Sequence, residues 1–321
     1  MPIYVDAMGG DHAPSEIASG ALLALSMVSE PIALIGKAEA ISQELKKLGA
    51  EGLFEVVSCS ESIEMDEDPA AAVRRKKDSS IVIGCQLARE NEGSAFVSAG
   101  STGALLAAGL MYIKRIPGVQ RAALATVLPI KKPVMLLDIG ANADCKPEYL
   151  VQFAKMGIIY MQSLFGIASP SVGLMSIGTE DTKGSAFTKQ CFAELKQLGP
   201  SFAGNIEPTS LFEPTSCDIA VSDGFTGNIV LKTIEGAMAH SMSALYPAIA
   251  ATGNSGAEAI FEQARSSLDP TSVGGAPFLG IEGCLIKAHG SSRAQAISNA
   301  IRQASSFLGN NALEKIKAEI I

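Results

Sequence analysis

Six short turns hold most of the side chains suited to chemistry: Asp6-Ala-Met-Gly9-Gly10-Asp11, Ser98-Ala-Gly100-Ser101-Thr102-Gly103, Asp138-Ile-Gly-Ala-Asn142, Ser176-Ile-Gly-Thr179-Glu-Asp-Thr-Lys183-Gly184, Ser222-Asp223-Gly-Phe-Thr226-Gly227-Asn228 and Lys287-Ala-His289-Gly-Ser291-Ser292. Each pairs glycine, which lets backbone N–H groups approach a ligand, with hydroxyl, amide or carboxylate side chains. Such turns and the helix N-termini after them bind anions. One glycine turn merely reverses a chain; six together point to a polyanion site, with Lys183 and Lys287 as nearby cations. A phosphate or a thioester oxyanion is the guest this composition suits.

The individual residues keep two readings each. Lys183 is a solvated turn lysine or a cation held between two glycines against a phosphate. Asn228 caps the next helix or donates its amide to an oxyanion. His289 satisfies a strand end or joins the site. Asp6, Asp11, Asp138 and Asp223 orient donors, cap helices or bind Mg2+, but four carboxylates on separate turns form no metal motif. Dinucleotide GxGxxG, P-loop, HExxH and GxSxG signatures are absent.

The elements that must position these turns are legible. Short apolar runs at 3–5, 95–97, 134–137, 172–175, 219–221 and 284–286 precede them, and runs at 34–35 and 54–57 are further strands. Apolar i, i+3/i+4 spacing after Pro147, and similar stretches at 15–28 and 291–307, predict helices between them. Alternation of this kind predicts an α/β fold with a doubly wound, mainly parallel sheet. We expect a single domain over 1–321, with a smaller, less regular helical subdomain around 231–277.

Composition narrows the function. The 321 residues are 47% hydrophobic and 18% charged with net charge −8, and aromatics are 5% with no Trp. Acidity and few aromatics speak against a nucleic-acid partner. A mean hydropathy of +0.26 suggests apolar surface covered by a partner subunit or by lipid. The six cysteines are scattered, with neither zinc nor disulfide spacing, and no basic n-region opens the chain; we expect a cytoplasmic protein. The basic run Arg74-Arg75-Lys76-Lys77 is a solvated face or a dock for an acidic partner. The apolar stretch 238–251 is a core or dimer-interface helix, or an apolar tip resting on a membrane.

Together these motifs, with Arg75-Lys-Lys-Asp-Ser-Ser80, Asp144-Cys-Lys-Pro-Glu148 and Gly274-Gly-Ala-Pro277, resemble in order the motifs of PlsX-type phosphate acyltransferases along nearly the whole chain. His12 and Ser101 stand where that family usually has Asn, and 256–269 replaces a longer basic helical stretch, so a short irregular segment is expected after the helix at Leu231. The resemblance implies an isopropylmalate-dehydrogenase-like α/β/α fold and transfer of a fatty acyl group from acyl carrier protein to inorganic phosphate, early in phospholipid synthesis. It implies a homodimer, peripheral contact with the membrane's inner face, a downstream acyltransferase, and no cofactor or metal. On that reaction Lys183, Asn228 and His289 are the expected catalytic residues. Expected substrate contacts are Asp6, Gly9, Gly10, Ser98, Gly100, Ser101, Thr102, Gly103, Asp138, Asn142, Thr179, Asp223, Thr226, Gly227, Lys287 and Ser291, and Arg74–Lys77 would dock the carrier. Rival readings are acyl transfer from coenzyme A as in phosphotransacetylases, an NAD-dependent dehydrogenase, and a non-catalytic acyl- or anion-binding module.

Overall fold

The computed structural model describes residues 1–130, 132–213, 217–267 and 274–320. Its strands are β1 (Ile3–Asp6), β2 (Ile32–Gly36), β3 (Glu55–Ser58), β4 (Ala95–Ser98), β5 (Ala123–Leu128), β6 (Val134–Leu137), β7 (Val172–Met175), β8 (Phe202–Ile206), β9 (Ile219–Val221), β10 (Ala276–Leu279) and β11 (Cys284–Lys287). They join in one sheet of order β3-β2-β1-β4-β11-β10-β5-β6-β9-β7-β8. The first five in that order are mutually parallel, and so are the last four. Between them β10 and β5 each run antiparallel to both neighbours. The sheet is thus two parallel halves of opposite direction, spliced by two strands.

Alternation along the strands puts two cores on two faces. Ile3, Val5, Leu34, Val97, Leu137, Leu174 and Val221 belong to one buried cluster. Tyr4, Ile35, Phe96, Leu136 and Ala220 belong to the other. Strands covered on both sides read as unbroken apolar runs, which is why they stand out in the sequence. The first face is covered by α1 (Ser15–Ala24), α2 (Ala38–Lys47), α6 (Pro147–Phe165), α7 (Ala186–Leu195), α10 (Ala294–Gly309) and α11 (Ala312–Glu319). On the second lie α3 (Pro69–Arg75), α4 (Ser80–Glu90), α5 (Thr102–Ala108) and the first turns of α8 (Gly224–Ala250).

The expected irregular segment after Leu231 is instead regular. α8 continues unbroken to Ala250, Thr252-Gly-Asn-Ser turns the chain, and α9 (Ser255–Ser267) packs back on α8, with the Tyr246 and Phe261 rings 5.6 Å apart. Small and apolar residues sustain the long helix, and Pro247 falls only in its last turn. Of α8 only Gly224, Gly227 and Leu231 are buried, so this helical pair projects from the body. The stretch 238–251 is therefore not a core helix. Residues 268–273, the end of the expected subdomain's connecting segment, lie outside the described residues. Among the described residues no helix is long and apolar enough to cross a membrane.

Candidate active site

The exits of β1, β4 and β11 are braced against one another. Asp6 is buried; its Oδ2 accepts from Ser98 Oγ at 2.6 Å and its Oδ1 from the Met8 amide at 3.0 Å. Ser98 Oγ in turn accepts from the Gly100 amide at 3.0 Å. Burial pushes the Asp6 carboxyl up, while these donors pull it down. Gly10 has φ +97°, and a Cβ there would come within 2.9 Å of the Gly290 carbonyl; only glycine lets the two exit loops approach so closely. Gly9 is similarly wedged between Asp6 and Gly100, and Gly103 against Pro69. Ser101 caps α5 by accepting from the Ala104 amide at 3.4 Å. Asp6, Ser98 and these glycines build the frame.

Lys287 ends β11 inside that frame. It is 7% exposed, and its Nζ donates to the carbonyls of Ala99, at 3.3 Å, and Ala288. No carboxylate pairs with it among the described residues; Asp6 and Asp11 act only from a distance. Burial pulls its pKa from the ordinary 10.5 down to about 8. An ammonium so placed retains a third N–H and lacks a counter-ion.

The opposite half-sheet supplies the facing wall. Asp138, at the β6 exit and fully buried, accepts through Oδ1 from the amides of Leu124, Gly140 and Ala141 at 2.9–3.0 Å, and through Oδ2 from the amide and side chain of Asn142 at 2.8 and 2.9 Å. Burial pushes its carboxyl up against the pull of those donors. Asn142 also donates to the Ala122 carbonyl at 2.7 Å. Asp223 caps α8, accepting from the Thr226 amide at 2.8 Å and hydroxyl at 2.9 Å. These four side chains bond to one another and to nearby backbone, so they brace the loops, and none of them lines the pocket, where the sequence had placed them. Gly224 and Gly227 pack so closely on Asn142 and Asp138 that a Cβ at either would overlap backbone. The result is Asn228, whose amide nitrogen donates to the Ile139 carbonyl at 2.9 Å and whose second N–H is uncommitted.

Both walls meet in one pocket of about 860 Å3. Thr102, Lys287, His289 and Ser291 come from the first half-sheet, and Gly140 and Asn228 from the second, with β5 and β10 between them. His289 Nδ1 lies 2.8 Å from Ser291 Oγ and accepts from the Ser291 amide at 3.3 Å. Burial, then the Lys232 ammonium, lowers its pKa. Lys232 on α8 also lines the pocket, with its Nζ 2.7 Å from Glu235 and 3.4 Å from His289 Nε2. Away from this polar head the lining turns apolar: Leu231, Met238, Ala239, Met242 and Tyr246 along one stripe of α8, faced by Phe261 of α9. Among the described residues no cluster of His, Cys, Asp and Glu could hold a metal ion.

Other expected residues lie elsewhere. Lys183 and Thr179 are exposed on the β7 exit, one strand beyond the β9 exit that carries Asn228, and neither lines the pocket. The cations that line this pocket are Lys232, Arg265 and Lys287, and Lys183 is not among its lining residues. In the basic run, Arg75 and Lys76 both pair with Glu67, while Arg74 and Lys77 are exposed. Lys232, Glu235 and the α8 stripe were missed, although Leu231, Glu235, Met238, Met242 and Tyr246 recur at helical spacing.

A polar head on an apolar groove suits acyl transfer, and similarity to known proteins decides the family. Residues 1–315 match the family model described as "Fatty acid synthesis protein". A phosphate acyltransferase of Pelotomaculum thermopropionicum is 48% identical, covering 100% of this chain and 95% of its own. One from Desulfitobacterium hafniense is 44% identical, covering 100% and 97%. The chain belongs to the phosphate acyltransferase family. Members of that family are transferases, and this one is an acyltransferase. Its fold is shared with a phosphotransacetylase from Streptococcus pyogenes (TM-score 0.64, 18% identity, 98% of this chain and 94% of the other). A 4-hydroxythreonine-4-phosphate dehydrogenase from Klebsiella pneumoniae aligns with TM-score 0.54 at 14% identity, over 95% and 97% of the chains.

Proposed function

We propose that this acyltransferase moves a fatty acyl group from acyl carrier protein to inorganic phosphate, giving an acyl phosphate that a downstream acyltransferase consumes early in phospholipid synthesis. The observation that carries the reading is Lys287: a buried ammonium without a carboxylate, at the head of an apolar groove. Burying an unpaired charge is costly, and an anionic substrate offsets that cost.

In this reading phosphate sits among Lys287, Lys232 and His289, with the thioester carbonyl beside Asn228. A phosphate oxygen attacks the carbonyl carbon; the new C–O bond forms as the C–S bond breaks. The proton carried by the phosphate dianion ends on the departing sulfur, so none is exchanged with solvent. Asn228 donates to the tetrahedral oxyanion, an interaction worth ~10²–10³ in rate. Alignment of two bound partners supplies ~7–11 kcal/mol of the barrier reduction. Lys183, at the neighbouring strand exit, meets the arriving phosphate outside the pocket.

Carrier docking falls to Arg74 and Lys77. Helix α3, which carries Arg74 and ends just before Lys77, begins at Pro69, which a Cβ at Gly103, beside the pocket residue Thr102, would meet. The exposed apolar back of α8, Leu245 at 51% exposure among it, is covered in a homodimer, and the turn between α8 and α9 touches the inner face of the membrane from the cytoplasm. The test is phosphate-dependent release of free carrier thiol from acyl carrier protein thioester, run beside the same acyl group on coenzyme A. Equal turnover without phosphate, or with coenzyme A alone, defeats the reading.

A further inference from the structure

The groove has a measurable length and a defined far end. On α8 the pocket-facing stripe begins beside Lys232 and stops at Tyr246; no lining residue lies further along that helix. On the returning helix α9 the lining residue nearest the turn is Phe261. Their rings stand 5.6 Å apart at 43°, and Phe261 is buried at 6% exposure. The charged pair Arg265–Glu262 is solvent-exposed and sits on the α9 side of the groove.

We propose that this ring pair is the stop that sets the upper limit of acyl chain length in the groove. The inference rests on the acyl-transfer reading above and adds to it the specificity-determining residues. From Lys232 to Tyr246, α8 rises about 21 Å at 1.5 Å per residue. An extended alkyl chain with C–C bonds of about 1.5 Å advances about 1.25 Å per carbon. With its carbonyl at the Lys232–His289 end, a chain of about 16 to 18 carbons reaches the rings. Ala239 stands about halfway, near the eighth carbon, and its side chain is the smallest on the stripe. Each methylene that finds its place in the groove favours binding about fourfold.

The experiment measures kcat/KM for phosphate-dependent thiol release from carrier thioesters of 8, 12, 16 and 20 carbons, using the whole protein and two variants. The parent chain should prefer 16 carbons to 8 and to 20. Phe261→Ala opens the far end and should raise the 20-carbon to 16-carbon ratio at least tenfold. Ala239→Phe, on an exposed helical position that tolerates a larger side chain, blocks the groove midway and should lower the 16-carbon to 8-carbon ratio at least tenfold. Thiol release that persists with the same chain-length profile in the parent and both variants overturns the ring stop while leaving acyl transfer standing. A parent protein that releases no thiol at any chain length overturns the acyl-transfer reading, and the stop with it.

Discussion

Lys232 Nζ and His289 Nε2 lie 3.4 Å apart although 57 positions separate them in the chain. The Ser291 amide donates to His289 Nδ1, and in the tautomer that fits this bond the ring proton is on Nε2, facing the ammonium. The Lys232 ammonium, also held 2.7 Å from Glu235, and the ring N–H therefore face one place. An oxyanion seated there accepts from both. Replacing either Lys232 or His289 by Ala should raise the phosphate KM about tenfold, a typical loss for a charge-assisted hydrogen bond. The double variant should lose less than the product of the two, because both contact the same ion. Steady-state kinetics at varied phosphate measure all four forms of the cycle; strictly multiplicative effects would place the two residues on separate ligands.

Lys287 should show function opposing stability. Its depressed pKa corresponds to about 3 kcal/mol of destabilisation in the empty, charged state. Lys287→Met keeps the aliphatic stem and removes the charge. Urea unfolding should find this variant more stable than the parent by about 1–3 kcal/mol, with acyl-phosphate formation reduced at least 100-fold. Phosphate should stabilise the parent against unfolding and leave the variant unaffected. A variant less stable than the parent would mean that the two backbone carbonyls already satisfy the ammonium.

The same shift fixes a pH dependence. Lys287 titrates near 8 when folded and near the ordinary 10.5 when unfolded. Between those values the unfolded chain binds more protons, so this group's contribution to stability rises with pH there and is lost again as pH falls through about 8. In the proposed reaction phosphate binding behaves oppositely, since phosphate is held by the ammonium form of Lys287. The phosphate KM should rise above about pH 8 while the apoprotein becomes more stable towards pH 10 relative to Lys287→Met. Profiles of KM and of urea midpoint against pH check both directions.

The turns that frame the pocket were visible in the sequence because each follows a strand buried on both faces, whose apolar run has no polar interruptions. What those turns do was less visible. Asp138 and Asn142 have the residue types of a ligand site, yet the backbone takes up their hydrogen-bonding capacity; spacing alone does not separate a loop brace from a substrate contact. The splice strands were also hidden. β5 has no glycine turn at its exit, and Pro277 argues against an inner strand by lacking an N–H, yet it sits in β10 beside β11. Without those two strands the sheet reads as uniformly wound, and the meeting of two opposed half-sheets around Lys287 and Asn228 cannot be inferred. Lys232 went unnoticed because its partner His289 comes from the other half.

Gly227 tests how far that meeting depends on close packing. A Cβ there would overlap the Asp138 carbonyl and come 2.8 Å from Ser222 Oγ. Neither neighbour can yield easily, because Asp138 anchors three backbone amides of its loop and the Leu124 amide of β5, and Ser222 exchanges backbone hydrogen bonds with both Asp138 and Leu137. Alanine elsewhere in a helix is favoured over glycine by about 1 kcal/mol. At this position Gly227→Ala must instead displace the first turn of α8, at a cost of about 1–3 kcal/mol. That displacement carries Asn228 with it, and a shift of about 1 Å at a reacting group costs on the order of 100-fold in rate. Gly236→Ala, on the same helix where a Cβ meets nothing within 4 Å, is the control and should gain stability without losing turnover. Thermal unfolding and thiol-release assays on the two variants check this; loss of turnover in both would attribute the effect to helix stiffness rather than to the placement of Asn228.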